Sequence, residues 1–287
     1  MPKSRKSLKR KSTNLNNKTL KRSVSKINLS KNIFSGSKLI PSFKIIDKEG
    51  NASVRLNLRK DQQIILNHNT LSYLDSHIDT KTKSQGGIFR GLVRGLMTSQ
   101  SMFMTTFTGT QANNNLVCSS FLPGSMVPLL LNPGEKIVVS GHSLLAFTTN
   151  LTLNTVRNFR GIIVQENLFL TELKNESINK AMVWLTSYGG YHKLDIPAGK
   201  STKIAHGLFL ATNDLNNYSM SRLGSVKTTL LGTTSIMMNF TGPCTVYCHT
   251  RNYNYLVHDI QKYLNITYSN NSSSGFTGAF LGNMFRK

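Results

Sequence analysis

Histidine and cysteine are the residues of this chain whose chemistry is easiest to recognise by spacing. The stretch PGEKIVVSGHSLLAF (133–147) returns as PAGKSTKIAHGLFLA (197–211), an offset of 64 that sets His142 on His206. His68 stands one residue out of register in a looser copy. Three histidines around one axis could ligate a metal such as zinc. No cysteine or carboxylate recurs beside them at matched positions, so each reads as a hydrogen-bonded or solvated residue at a strand entrance. His192, His249 and His258 show no partner spacing. Cys118, Cys244 and Cys248 make no disulfide framework, since any pairing leaves one over. If Cys244 and Cys248 share a strand they stand about 13 Å apart, beyond the roughly 7 Å between Cα atoms that a disulfide spans. They read as buried thiols in a reducing compartment. The 12 acids are scattered, with no G-x-S-x-G, no H-E-x-x-H and no paired carboxylates. Neither a phosphate loop nor a dinucleotide fingerprint is present. The sequence therefore predicts no enzyme, no metal, no cofactor and no small-molecule substrate.

The chemistry that remains is electrostatic. The 287 residues carry 35 Lys and Arg against 12 Asp and Glu, a net charge of +23. Residues 1–38 hold 12 of those bases and no acid, and the first acid is Asp47. The bases include Lys3, Arg5, Lys6, Lys9, Arg10, Lys11, Lys18, Lys21, Arg22 and Lys26. Rich in Lys, Ser and Asn, this arm buries too little apolar surface to fold alone, and it is read as disordered. An acid-free solvated arm suits a polyanion, with nucleic acid the first choice and an anionic membrane the second. KSRKSLKRK is nuclear-localisation-like. A mitochondrial presequence is also acid-poor and Ser-rich, but it prefers Arg on an amphipathic helix. Here Lys outnumbers Arg nine to three, and Asn14, Asn16 and Asn17 weaken a helix. Ser7, Ser12 and Ser23 follow bases, and phosphorylation of any of them would subtract charge.

Beyond the arm, short apolar runs punctuated by Gly, Pro and Asn read as an all-β body. Some runs alternate and others are solidly apolar, as expected where a sheet face lies against another sheet. SMFMTTFTGTQANNNLVCSS (101–120) and SIMMNFTGPCTVYCHTRN (235–252) repeat one strand–turn–strand pattern, and NLFLTELKN followed by VWLTS is a third copy. Phe107, Leu173 and Phe240 then occupy matched inward positions. The unit is about 65–70 residues, read three times. A diverged first copy (58–74) is completed by the last strands of the chain, which implies a pseudo-threefold body. GGIFRGLVRGL (86–96) would make a small-residue stripe on a helix, but reads as a Gly-rich connection between strands. Trp184, near Tyr188 and Tyr191, could stack on a base, but a lone Trp on an apolar strand is more often core.

GGIFRGLVRGL, MFMTTFTG, PGSMVPLLL, TSYGGYHKLDI, the His-Gly-Leu-x-Leu-Ala run, RLGSVKTTLLG and MNFTGPCTVYCHTRN together resemble the mitochondrial-biogenesis family. Its founding member is named for altered inheritance of mitochondria. The resemblance covers roughly residues 43–257. It implies three repeats of a short double-stranded β-helix, similar to the subunit of the tryptophan RNA-binding attenuator protein, and it supplies no catalytic residues. The departures are the basic arm and an Asn/Lys/Ile-rich composition, which suggests an AT-rich genome such as that of a large DNA virus or certain protists.

The expected organisation is a disordered basic arm (1–42), a three-repeat β body (43–258), and a polar linker with a short apolar tail (259–287). In that tail Phe276, Phe280 and Phe285 follow NNSSSG, and it would dock on a neighbouring subunit or touch a membrane peripherally. No apolar run approaches a membrane span and no secretory h-region follows the basic start. The expected role is a non-enzymatic, homo-oligomeric scaffold whose arm binds nucleic acid without sequence preference. It would be intracellular, in a virion, nucleus or viral factory. The alternatives are a mitochondrial or membrane-associated organising protein with the arm as targeting signal, and a small-ligand binding module.

Overall fold

The computed structural model describes residues 38–46, 50–67, 70–81, 104–156, 170–223 and 236–264. The chain divides into two units, Met1–Lys31 and Asn32–Lys287, and all described residues belong to the second. The basic arm as far as residue 37, GGIFRGLVRGL and the apolar C-terminal tail lie outside the described residues.

The described chain is a succession of antiparallel strands. They are β1 (Ser42–Ile46), β2 (Ser53–Leu58), β3 (Gln63–Asn67), β4 (Leu71–Leu74), β5 (Ile78–Lys81), β6 (Met104–Gly109) and β7 (Asn114–Ser119). Next come β8 (Gly124–Leu131), β9 (Lys136–Ser140), β10 (Leu144–Thr148), β11 (Thr152–Thr155), β12 (Leu170–Lys174) and β13 (Ala181–Tyr188). The last are β14 (Tyr191–Ile196), β15 (Ser201–Ala205), β16 (Phe209–Thr212), β17 (Tyr218–Arg222), β18 (Ile236–Thr241) and β19 (Cys244–His249). One helix, α1 (Tyr253–Leu264), follows. The all-β class read from the sequence is the fold.

Four sheets form. The first has the order β1-β2-β7-β4, the second β5-β6-β3-β10-β13-β8, the third β11-β12-β9-β16-β19-β14 and the fourth β15-β18-β17. Adding six to each strand number of the second sheet gives the third. Adding six to β11-β12-β9 gives β17-β18-β15, the whole fourth sheet, and subtracting six from β10-β13-β8 gives β4-β7-β2 of the first. The strand order thus has a period of six strands. The two half-sheets that would complete the third round are not hydrogen-bonded to one another among the described residues. The first copy is therefore not completed by the last strands of the chain, contrary to the sequence expectation.

Burial explains which strands alternate. One apolar cluster draws on the first and second sheets, including Val54, Leu56, Leu116, Ile64 and Trp184. Another draws on the second and third, including Phe147, Val183, Val139 and Leu173. The last draws on the third and fourth, including Val246, Phe209, Met238 and Phe240. Both faces of the two middle sheets are dry, so KIVVS, SLLAF and MVWLTSY are solidly apolar. The outer sheets bury one face only, and β2 (SVRLNL) accordingly alternates between buried and more exposed residues.

Register fixes the equivalences. Phe107 lies opposite Ile64, Leu173 opposite Ile137 and Phe240 opposite Thr202, in each case the second residue of the partner strand. All three are buried. β4, β10 and β16 each skip one residue of pairing, at Ser72, Leu145 and Leu210. These markers place successive units 73 and then 65 residues apart. The offset of 64 read from the sequence is therefore short by one, because Leu145-Ala146 superposes on Leu210-Ala211. His206 then matches Gly141 rather than His142, so the two histidines are not equivalent. His142 is exposed while His206 is buried. His68 lies outside the described residues.

Four elements were not anticipated from the sequence. β5 and β17 are short and mostly polar, and they are strands because they lie along the already ordered β6 and β18. TKIAHGLFLA is two strands separated by a single 3-10 turn at His206–Leu208. In α1, Leu256 and Val257 are half-buried, whereas Tyr255, Ile260 and Tyr263 are exposed.

Candidate functional site

Two places in the described body gather side chains able to bind or react. One is the outer face of the first sheet. Gln62 Nε2 donates to the Lys38 carbonyl at 3.2 Å and holds the chain just ahead of β1. Lys44 on β1 lies opposite Arg55 on β2, Arg55 opposite Val117 on β7, and Val117 opposite Tyr73 on β4. Strand pleating puts this row on the face away from the core, because Val54, Leu56 and Ile45 take the other face. Tyr73 is 51% exposed, and Arg55 Nη2 donates to its hydroxyl at 3.3 Å.

The neighbouring rows are polar and uncharged. Asn57 lies opposite Asn115 and donates to it, and Ser53 lies opposite Ser119, whose hydroxyl meets that of Ser72 at 2.7 Å. Asp75 closes one end with Oδ2 accepting from the Asn115 backbone and side chain. Among the described residues no ion pair reaches Lys44 or Arg55, whereas Lys136, Lys174 and Lys193, all on the third sheet, are each paired with a carboxylate. The result, among the described residues, is a pair of cations without an ion pair near an exposed aromatic ring, with the buried Val117 between Arg55 and Tyr73.

The other place is His249, for which the sequence offered no partner. β19 carries it to the end of β13, where the Tyr188 backbone N–H donates to Nδ1 at 3.1 Å. Ser143 Oγ lies 3.4 Å from Nε2, and Ser187 Oγ lies 3.1 Å from Nδ1 and donates to the Gly190 carbonyl at 2.6 Å. A serine beside an imidazole invites a nucleophile-and-base reading. The tautomer opposes it: with Nδ1 accepting a backbone N–H, the ring proton of neutral His249 sits on Nε2, which donates to Ser143 and has no lone pair for its proton. Burial lowers the His249 pKa to about 4, and Ser143 and Ser187 are themselves buried. No signal in the sequence groups these residues, since long-range pairing alone brings them together.

Of the other residues singled out in the sequence, Trp184 and the three cysteines fall into the core. Trp184 is fully buried and meets Phe43 edge-on at 5.4 Å, so it is no stacking platform, while Tyr191 is 37% exposed. Cys118, Cys244 and Cys248 are free and buried, the latter two on one strand. Burial raises the pKa of Cys118 and pushes that of Cys248 up to about 11. Burial, with a smaller contribution from Asp214, also raises that of Cys244. Thiols so protonated are poor nucleophiles. Among the described residues no group of His, Cys, Asp and Glu is placed to hold a metal, and no helix is long and apolar enough to cross a membrane. The ten arm bases from Lys3 to Lys26 lie outside the described residues.

Comparison with known proteins places the fold and the family. A crystal structure of a protein from Streptococcus pyogenes is similar, with a TM-score of 0.61 at 16% identity over 77% of this chain and 98% of the other. That likeness is one of fold. No curated protein matches the chain. The pattern of the family described as mitochondrial biogenesis AIM24 matches residues 43–251, which include every strand from β2 to β19. The chain therefore belongs to the mitochondrial biogenesis AIM24 family.

Proposed function

We propose that the protein is a non-enzymatic β scaffold that holds nucleic acid through its basic arm, with the outer face of the first sheet continuing the contact. The observation that carries this reading is the charge distribution: 12 bases and no acid in residues 1–38, leading into a strand that presents Lys44 beside Arg55. Lys and Arg bind phosphate through counterion release, which is insensitive to sequence. An exposed Tyr73 next to Arg55 offers a ring on which an unpaired base can stack. The partner is thus single-stranded or locally unpaired nucleic acid, bound without base readout. Such a protein acts in a virion, a nucleus or a viral factory.

The test is a salt titration of binding to a single-stranded oligonucleotide. The full chain is compared with one in which Lys3, Arg5, Lys6, Lys9, Arg10, Lys11, Lys18, Lys21, Arg22 and Lys26 become Gln. The affinity of the native chain should fall by about 0.7 log per log salt for each phosphate neutralised on a single strand. The substituted chain should bind more weakly with a shallower slope. Equal affinities and slopes would remove the arm from the mechanism.

The family description favours a second reading, a mitochondrial organising protein whose arm is a targeting signal. The two separate on the intact mass of the protein isolated from its cell. A targeting arm is cleaved, whereas a nucleic-acid arm stays.

A further inference from the structure

β2, β8 and β14 are matched strands, each the flank of its half-sheet in the orders β4-β7-β2, β10-β13-β8 and β16-β19-β14. The spacings of 73 and 65 residues align Arg55, Pro128 and Lys193. The three edges end differently. β1 pairs along β2 and sets Lys44 against Arg55. In β8 the aligned residue is Pro128, which has no N–H to offer a further strand. β14 has neither device. Among the described residues no strand pairs beyond it, and its sequence YHKLDI contains no proline.

The register fixes what that edge presents. The Thr250 N–H donates to the Gly190 carbonyl at 2.9 Å, and Tyr191 lies opposite His249. Gly190 and Thr250 are therefore directly opposed and hydrogen-bonded. Bonded pairs alternate with unbonded ones along an antiparallel ladder. His192, Leu194 and Ile196 thus turn their backbone groups to β19, while Tyr191, Lys193 and Asp195 turn theirs outward. The other side of β19 agrees, since Thr245, opposite Asp195, accepts from the Asn213 N–H instead. Three N–H and C=O pairs face away from the sheet. Tyr191, His192, Lys193 and Asp195 are exposed, whereas Met126 and Val127, which align with the first two, are buried.

We propose that β14 is a docking edge for an extended segment of another protein, which adds an antiparallel strand there as β1 does on β2. Main-chain bonds hold such a segment and alternate side chains select it. β1 shows which side chains the position takes. It sets Phe43 opposite Leu56 and Ile45 opposite Val54, with Lys44 between them. Leu56 and Val54 align with Leu194 and His192, so the docked segment carries apolar residues opposite those two. The residue between them is acidic, because a cation directly opposite Lys193 is unfavourable. Lys193 Nζ donates to Asp195 at 3.0 Å and keeps two further protons for an acidic neighbour. Arg251, whose side chain lies close to Gly189 at one end of β14, and Lys200 in the turn after the other end favour the same sign.

Hydrogen exchange tests this on the full chain, freed of nucleic acid by nuclease. The probe is a synthetic peptide of residues 40–47 carrying Lys44→Glu. Saturating peptide should slow exchange of the Tyr191, Lys193 and Asp195 amides by about tenfold or more. Lys193→Pro in the full chain removes the central outward N–H and copies Pro128 of β8. That variant should keep its melting temperature and lose the peptide. Lys193→Glu keeps the test decisive if the proline variant does not fold. It should weaken binding of the acidic peptide and recover binding of the unaltered β1 sequence, which bears Lys44. No slowing at β14, slowing at β2 instead, or binding indifferent to Lys193→Pro and Lys193→Glu overturns the proposal. Slowing at β14 that grows with chain concentration in the absence of peptide also overturns it, since the edge then belongs to a second copy.

Discussion

His249 shows how one half-buried ring can set the acid tolerance of the body. Its pKa in the fold is about 4, lowered by burial, against an ordinary histidine value near 6.5. The neutral form is the folded form, so the unfolded chain binds a proton that the folded one refuses between those two values. Stability from this residue is complete above about pH 6.5, falls as pH drops toward 4 and is then constant, a loss of up to about 3 kcal/mol. His249→Asn keeps an acceptor for the Tyr188 N–H, and urea denaturation of that variant from pH 7 to 4 should show a flatter profile than the native chain. His249→Leu leaves the N–H without its acceptor and should cost about 1–3 kcal/mol at pH 7. Gly124 is as constrained for a steric reason. A Cβ there would lie 1.6 Å from the Ser187 carbonyl oxygen, where Gly124 bridges to Asn51 and Gly189. Gly124→Ala should therefore lower stability by about 1–3 kcal/mol or more, measured by the same denaturation.

Among the elements, β6, β12 and β18 are the strands around which each unit is built, each flanked on both sides by other strands of its sheet. Their buried Phe107, Leu173 and Phe240 fill matched places. Phe240 packs on Phe209 and Tyr218 with ring centroids 5.8 and 6.0 Å away, so its loss opens the largest aromatic cluster of the described body. Phe107→Ala and Phe240→Ala should each cost about 3–5 kcal/mol, and Leu173→Ala about 2–5, read from shifts in denaturation midpoint. An equal ranking of all three with an exposed control such as Ile178→Ala would dissolve the equivalence. β5 and β17 reach the core only through Ile78 in the one and Tyr218 with Met220 in the other, so substitutions on their exposed residues should be nearly silent.

For the whole molecule the deciding quantity is where the charge sits. With 12 bases in residues 1–38, the arm can contribute a salt slope of at most about eight on a single strand, and flexibility should make it smaller. The rest of the chain keeps 23 bases against its 12 acids, so weak binding should survive neutralisation of the arm. Lys44→Gln with Arg55→Gln should then reduce that residual binding further. Tyr73→Ala should weaken it at constant salt slope, since a stacking contact releases no counterion. Fluorescence anisotropy over a salt series separates the two effects.

The sequence by itself determined what depends on local pattern and composition. The short apolar runs are strands, the middle runs are solidly apolar because two dry faces clothe them, and the recurrence of F-T-G and Leu-Ala marks a repeated unit. The acid-free arm is equally plain, since charge is read by counting. What needed the tertiary structure depends on pairing between distant residues. Whether His142 matches His206 turned on a single residue of offset, and only register with β9 and β15 settled it, because a one-residue slip reverses which side chains point inward. His249 acquires Ser143, Ser187 and Tyr188 through strands 61 to 106 residues away, a distance at which no spacing rule operates. β5 and β17 hold too few apolar residues to declare themselves, one in IDTK and two in YSMSR, and become strands by lying along an edge that is already ordered. That β4 and β15 end their sheets among the described residues is invisible in sequence for the same reason. A strand that meets its partner and one that does not carry the same kind of residues, and the difference lies in what the rest of the chain brings beside them.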